Sequence, residues 1–482
     1  MSYNPDKGYY RCTIIRGKAQ QEMDDMLPFY ATAINQLCPM DKDEFKKCFR
    51  DMISQKFFGT SFEKVSAARR KSIDNHRTEI AGKHLGLYHV NNAGVVVPSE
   101  SCQMVLARLD QPAFFKNLCL NFQFPNFTQK IQTVSQRVKD GISFKPYHFI
   151  LALLLEAEKE HVILSIQHFA YYVLSSIDVL RGGVTPKTVM AKILDDNAKG
   201  LRKKVPSGSK NMQHIREQFN MLELANLITV KGPSVYLNHG EDAIINRFVR
   251  ELSAPLGYDI SRYDLSVPKE ASEAELAWEE YYGALHCTYA ELNTTVAALA
   301  GETTTKDAPK ATVAVKAKKL HIGESTQEIG EDGESFAFAY EHERIAKYYP
   351  QLAKTKVFRV GDRKGLGYDI NSIEGHDNPK NPEKQRFIEV KATKRTTEPS
   401  FSEAFDDRGV NVTYTEWQAL QDFGSSYMFY LVYITKQGKY LYRIADPSAK
   451  EKLGVLRFRA PIYEMTYNKD AIEKIYEEKV TA

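Results

Sequence analysis

Three residues in the C-terminal third of the chain have the types and spacing for metal-assisted phosphodiester hydrolysis. Asp369 stands in Gly367-Tyr368-Asp369-Ile370. Glu389 and Lys391 follow about twenty residues later in Phe387-Ile388-Glu389-Val390-Lys391. The second run reads as a strand, so alternate side chains share a face. Phe387, Glu389 and Lys391 point one way, and Ile388 and Val390 point the other way, toward the core. Asp369 belongs to a neighbouring strand, closed by the turn-forming run Ser372 to Pro382. Two hard oxygen ligands on adjacent strands can hold magnesium with open water positions. A lysine beside them can orient the attacking water and help deprotonate it. Taken alone, Glu-x-Lys on a strand face is also a common solvent-exposed ion pair.

The surroundings add to the chemical reading. A helix-like run ahead of Asp369 carries its own acid, Glu334, within Gly333 to Glu341. The segment Arg359 to Ile370 is rich in glycine and carries Arg359, Arg363 and Lys364, which suits a loop that approaches phosphate. Lys394 and Arg395 stand just beyond Lys391.

A helix with Glu, a strand with Asp and a strand with Glu-x-Lys, in that order, resemble the PD-(D/E)XK, or restriction-endonuclease-like, nuclease superfamily. The NO VEIN C-terminal-like branch is the nearer likeness. Its motifs are matched by Gly330 and Gly333-Glu334, by Gly367 to Ile370, by Ile388 to Lys391, by Glu416-Trp417 and by Tyr427 to Tyr433. The resemblance covers roughly residues 328 to 450. It implies a C-terminal α/β domain with a mixed central sheet, in which Asp369, Glu389 and the Val390 carbonyl ligate Mg2+. Lys391 would position the hydroxide nucleophile, and Glu334 would orient a metal-bound water or the Lys391 ammonium. The products would carry a 5′-phosphate and a 3′-hydroxyl. Glu416 and Gln418 are candidates for supporting roles, with a helix-capping acid as the plainer reading of Glu416.

These residues need a scaffold, and the chain is long enough to supply several domains. Its 482 residues allow two or three. With 43% hydrophobic and 26% charged residues, the composition is that of a folded soluble protein and excludes disorder of the whole. A net charge of +4 does not by itself announce a nucleic-acid binder, so cations would have to gather on one face. The six cysteines form no Cys-x-x-Cys pair and read as free thiols in a reducing cytosol. The first residues carry no basic-plus-apolar signal and no apolar run could span a bilayer, so a cytoplasmic location without a membrane partner is expected. No phosphate-binding Gly-x-x-x-x-Gly-Lys-Ser/Thr occurs, so ATP-driven translocation is not expected.

The expected organisation is multidomain, with a mainly α N-terminal part that holds a winged-helix-like module. Residues 1–135 form one recognition subdomain. Asp43 to Phe58 has the spacing of an amphipathic helix, and Arg69, Arg70 and Lys71 follow in the densest cationic stretch of that half. They read as phosphate contacts or as a solvated helix face. Residues 136–250 form the second subdomain. A helix opens at Lys145-Pro146-Tyr147 and another at Ser165, a plausible N-cap. Met212 to Ala225 is an amphipathic helix, followed by Leu227 to Val230, a turn at Lys231 to Ser234, and Val235 to Leu237. Helix, strand, tight turn, strand is how a winged helix ends. Lys210 and Gln213 then sit where a recognition helix meets the groove. This region resembles the recognition part of type IIS-like restriction endonucleases. Alternatively it is a helical scaffold with a hairpin that touches no DNA.

Residues 251–327 read as connector and linker, with an acidic, aromatic helix around Trp278 and a Thr-, Ala- and Lys-rich stretch at 301–327. Residues 328–482 are the nuclease domain. The expected function is a magnesium-dependent restriction-type endonuclease acting on double-stranded DNA. A homodimer or partner subunit would be one way to cut both strands; a protective methyltransferase would be a separate chain, or the enzyme targets modified DNA and needs none. The alternatives are a structure-specific repair or RNA-processing nuclease, and an idle nucleic-acid-binding module.

Overall fold

A computed structural model describes residues 3, 12, 20–108, 110–205, 209–294, 325–360, 366–401, 410–459, 463–467 and 469–479. Arg363 and Lys364, residues 206–208 and the stretch 295–324 lie outside the described residues. The chain divides into two compact units. One comprises Met1–Ala107 and Gln111–Ala308, the other Arg108–Asp110 and Pro309–Ala482.

The first unit is mainly helical. Helices α1 (Gln20–Leu37), α2 (Lys42–Phe58) and α3 (Ala67–Asn75) precede a small sheet of β1 (Met40–Asp41), β2 (Tyr88–Val90) and β3 (Val95–Pro98), except that β1 sits between α1 and α2. The amphipathic spacing of α2 works as expected, burying Phe45, Phe49 and Ile53. At the centre lies α4 (Gln111–Asn121), every residue of which is buried. Its buried side-chain donors therefore find acceptors. Lys116 Nζ reaches Glu241 Oε2 at 2.6 Å and Thr294 Oγ1 at 2.8 Å, and Asn117 and Asn121 both donate to the Ala284 carbonyl.

Helix α5 (Pro146–Lys159) starts with proline at its first position, where the missing N–H has no partner to lose. Ser165 does cap a helical turn, but it also ends a two-residue strand, β4 (Leu164–Ser165). Helices α6 (Pro186–Ala198) and α7 (Ser209–Leu224) lead into the hairpin β5 (Ile228–Lys231) and β6 (Ser234–Leu237). The three strands form an antiparallel sheet in the order β4-β6-β5. Helix α7 buries Ile215, Phe219, Leu222 and Leu224, the apolar side read from its sequence. Of the segment read as a connector, α8 (Pro268–Gly283) buries Trp278 and Tyr282 in the same apolar core as these residues.

The second unit is built on a mixed six-stranded sheet. Its strands are β7 (Phe358–Arg359), β8 (Ile370–Ile373), β9 (Gln385–Lys394), β11 (Tyr427–Thr435), β12 (Gly438–Ala445) and β15 (Glu473–Lys479). Their order is β15-β12-β11-β9-β8-β7, with β9 and β11 parallel and the other pairs antiparallel. A separate small sheet joins β10 (Val410–Val412), β14 (Tyr463–Tyr467) and β13 (Leu456–Arg459). Helix α9 (Ser325–Ala346) covers the sheet face of Ile388, Val390 and Ala392. Helix α10 (Tyr414–Phe423) lies against the opposite face, where Phe423 stacks on Phe387 at 4.0 Å. Both faces of β9 are thus covered, which buries Glu389 as well as Ile388 and Val390.

The α9 face carries a buried ionic network that the sequence did not disclose. Arg386 shares that face and is 2% exposed. Fully buried Glu341 accepts from Arg344 at 2.7 Å, from Ser372 at 2.5 Å and from Tyr430 at 2.5 Å, and it pairs with Arg386. Burial alone would push the Glu341 carboxyl up. The two guanidiniums and the Ser372 hydroxyl overcome this and hold it down at about 2. Arg386 also pairs with Glu374 at 2.7 Å and Asp377 at 2.9 Å. Glu341→Ala should therefore chiefly strip the buried Ser372 and Tyr430 hydroxyls and the Arg344 guanidinium of their shared acceptor, at a cost of about 3–5 kcal/mol by urea unfolding. The folded pKa is depressed, so the wild-type contribution is complete above about 4.5 and fades as the pH falls toward about 2. Unfolding midpoints that match the wild type at neutral pH would refute this role for Glu341.

Candidate active site

The site residues are positioned by the order of strands and by two glycines. The β8/β9 register pairs Ile370 with Ile388. Its extension by one residue sets Asp369 opposite Glu389, and the Asp369 N–H donates to the Ile388 carbonyl at 2.8 Å. Lys391 lies two residues along the same face of β9. Gly367 has φ +73° and presses on the start of α10. A Cβ there would meet the Thr415 carbonyl oxygen at 2.5 Å, so glycine is required twice over. The Tyr427 hydroxyl donates to the Gly367 carbonyl at 2.7 Å and pins this turn to β11. On the opposite face, a Cβ on Gly333 would sit 2.4 Å from that of Ala392, so α9 can approach β9 only with glycine at this point.

The charges then fall into two groups. Lys391 Nζ donates to Glu389 Oε1 at 2.8 Å and to Glu416 Oε2 at 2.7 Å. Asp369 Oδ2 accepts from the Val390 N–H at 2.8 Å, which fixes its carboxylate beside the β9 backbone. Glu334, near the middle of α9, instead pairs with Arg359 at 2.6 Å. The lysine ammonium thus takes Glu389 and Glu416 as partners, while the Glu334 carboxylate stands near enough to Asp369 to raise its pKa. Gln418 turns along its own helix toward Asp422 at 3.4 Å.

Electrostatics make this a strained donor set. Burial pushes Asp369 up to about 6, and the Glu334 and Glu416 carboxylates add to the shift, while the Val390 N–H and Lys391 oppose it. Burial also raises Glu389 well above the ordinary carboxylate range, with Asp369 and Glu416 adding and Lys391 opposing. For Lys391, burial pulls downward, but Glu389 and Glu416 outweigh it and the net shift is upward. The lysine therefore stands as an ammonium, suited to orienting a water or a phosphate oxygen more than to accepting a proton. Among the described residues no three His, Cys, Asp or Glu side chains gather as a ready metal cluster. Asp369 and Glu389 are two hard oxygen donors, and the Val390 carbonyl would make a third. The donor chemistry fits magnesium, and a divalent cation would relieve the burial cost that raises both acids.

The residues assigned to DNA contacts all lie in the first unit. Arg69 and Lys71 are exposed on α3. Arg70 turns back, donating to the Val65 carbonyl at 3.2 Å and the Glu63 carbonyl at 2.5 Å, with its guanidinium over Phe62. Lys210 lies in the first turn of α7, and Gln213 is exposed one turn later. Lys231 is exposed at the tip of the β5–β6 hairpin.

Both parts of the chain are similar to known protein families. The family described as "Restriction endonuclease BpuJI - N terminal" matches residues 3–279, more than half of the chain. The chain belongs to this BpuJI N-terminal family. The family described as "Protein NO VEIN, C-terminal" matches residues 333–444, which contain Asp369, Glu389, Lys391 and Glu416. A solved BpuJI endonuclease binding domain, crystallised with pyrene- and phenanthrene-modified DNA, is 38% identical. The match covers 58% of this chain and 100% of that one, with a TM-score of 0.54. No curated protein matches the chain. The BpuJI match runs through most of α8, whose Trp278 is buried in the core of the first unit. All six cysteines are free thiols, and among the described residues no helix is long and apolar enough to cross a membrane.

Proposed function

We propose that the protein is a metal-dependent, restriction-type DNA endonuclease of the PD-(D/E)XK kind. Its first unit would read duplex DNA and its second would hydrolyse a phosphodiester bond. The observation that carries this reading is the set Asp369, Glu389 and Lys391, with two carboxylates facing each other across β8 and β9 and an ammonium beside them. Asp369, Glu389 and the Val390 carbonyl would hold Mg2+. When bound there, magnesium would supply Lewis acidity at a phosphate oxygen and a more acidic water. Lys391 would orient the attacking water and offset charge on the phosphate. Glu334, paired with Arg359, would set the local field from the first helix. Plasmid DNA incubated with the purified protein should be cut in magnesium and remain intact in calcium or with a chelator. Cleavage that is indifferent to chelation would sink the assignment.

In the first unit we assign the winged-helix role to α5, β4, α6, α7 and the β5–β6 hairpin, because the sheet order β4-β6-β5 follows that motif. Helix α7 would then be the recognition helix, with Lys210 and Gln213 at its entrance and Lys231 on the wing. The BpuJI domain solved with DNA supports duplex DNA as the partner. Arg69 and Lys71 would contact phosphates, whereas Arg70 holds its own loop. Arg69→Ala with Lys71→Ala should weaken binding to every sequence and flatten the salt dependence, by roughly 2 in the slope of log K against log salt. Gln213→Ala should keep the slope and lose discrimination between sites, since base contacts carry the sequence information. Binding isotherms at several salt concentrations separate the two effects. A reversed pattern would exchange the roles of α3 and α7.

A further inference from the structure

Lys391 has a second carboxylate partner that the metal site does not need. Glu416 Oε2 receives the lysine ammonium at 2.7 Å and also the Thr413 N–H at 3.1 Å. The Thr413 hydroxyl in turn accepts from the Glu416 N–H at 3.3 Å, which completes a reciprocal cap at the start of α10. A capping glutamate can do this work at a helix surface, in water. Here the residue is only 9% exposed, and a buried carboxylate is costly unless it is paired. The cap explains the N–H contact and leaves the burial and the ammonium unexplained.

We propose that Glu416 is a positioning residue for cleavage, holding the Lys391 ammonium in place so that Glu389 would be available as a metal ligand. The inference rests on the nuclease reading above. A lysine has a long flexible stem, and one carboxylate shared with a divalent cation would hold it loosely. Glu416 supplies an anchor that is itself fixed twice, by the Thr413 N–H and by the first turn of a helix packed on the sheet. The chain thus ties the catalytic ammonium of β9 to α10, whose other contacts press on the Gly367 turn ahead of Asp369.

The capping box distinguishes the two roles, because glutamine completes it as well as glutamate does. Glu416→Gln keeps the cap and the side-chain volume and removes only the charge. Glu416→Ala removes both. We expect Glu416→Gln to lower the single-turnover cleavage rate by about 10–100-fold, the scale for partners that orient a reacting group. Its affinity for DNA should match the wild type, and its melting temperature should lie above that of Glu416→Ala because the cap and the volume are kept. Glu416→Ala should lose the same rate and also melt earlier. Wild-type rates in Glu416→Gln, or rate losses that track melting temperature in both variants, would overturn the proposal. If the wild type itself cuts no DNA in magnesium, the nuclease reading falls too; if it cuts and Glu416→Gln cuts equally well, only this inference falls.

Discussion

Lys391→Ala should reduce cleavage by about a hundredfold or more while DNA affinity stays close to that of the wild type. The loss is large because the ammonium is the one cation bonded to both Glu389 and Glu416 among the described residues. Its removal leaves two buried carboxylates facing the place where an anionic phosphate must come. Affinity changes little because binding is spread over many phosphate contacts assigned to the first unit. The variant also exposes a structural cost, since breaking a buried pair destabilises the fold. Single-turnover cleavage, a binding isotherm and a melting curve on the same preparation separate the three effects. Near-normal cleavage by a folded variant would remove Lys391 from the mechanism.

Asp369→Ala and Glu389→Ala should each abolish magnesium-dependent cutting, and the double variant should be scarcely worse than either single one. Residues that hold one ion act as a unit, so their losses do not add. The geometry supports a shared ion, because the β8/β9 register sets the two acids opposite each other on one face. Burial and neighbouring carboxylates raise both, so each substitution also relieves local electrostatic strain. In metal-free buffer this relief opposes the cost of the bonds each variant loses, Lys391 to Glu389 and the Val390 N–H to Asp369, so both variants should still fold even as activity disappears. Calcium should support DNA binding by the wild type without cutting, because its looser coordination fails the geometry that magnesium imposes. Rate losses in the double variant equal to the product of the two single losses would show that the acids do not share an ion.

How much of this was readable in the sequence follows from the range over which each signal acts. Alternation along β9 placed Glu389 and Lys391 on one face, because a strand has a period of two. The apolar period of α2 and of α7 and the Gly232 turn were local signals and held. Gly333 and Gly367 were visible as motif glycines, but the reasons for them, the Ala392 side chain and the Thr415 carbonyl, lie dozens of residues away. The Glu341–Arg386 network joins a helix to a strand across the sheet, and no local pattern announces such a pair. Arg386 beside Ile388 and Val390 on the buried face was the available hint, a cation that needs a buried partner. Strand β4 is two residues long and exists only because β6 pairs with it. Arg70 reads like its neighbours in sequence, yet carbonyls at the preceding turn capture it. Glu334 was expected near the lysine or a metal-bound water. Arg359, drawn in by the edge strand β7, is its partner.

In this mechanism one unit would choose a sequence and the other would cut beside it. Run-off sequencing of both strands after limited digestion of a long duplex in magnesium tests this directly. Cut ends at a fixed offset from one short sequence are the predicted result, and they should vanish with Lys391→Ala. Ends scattered without a common sequence, or confined to flaps and junctions, would contradict it.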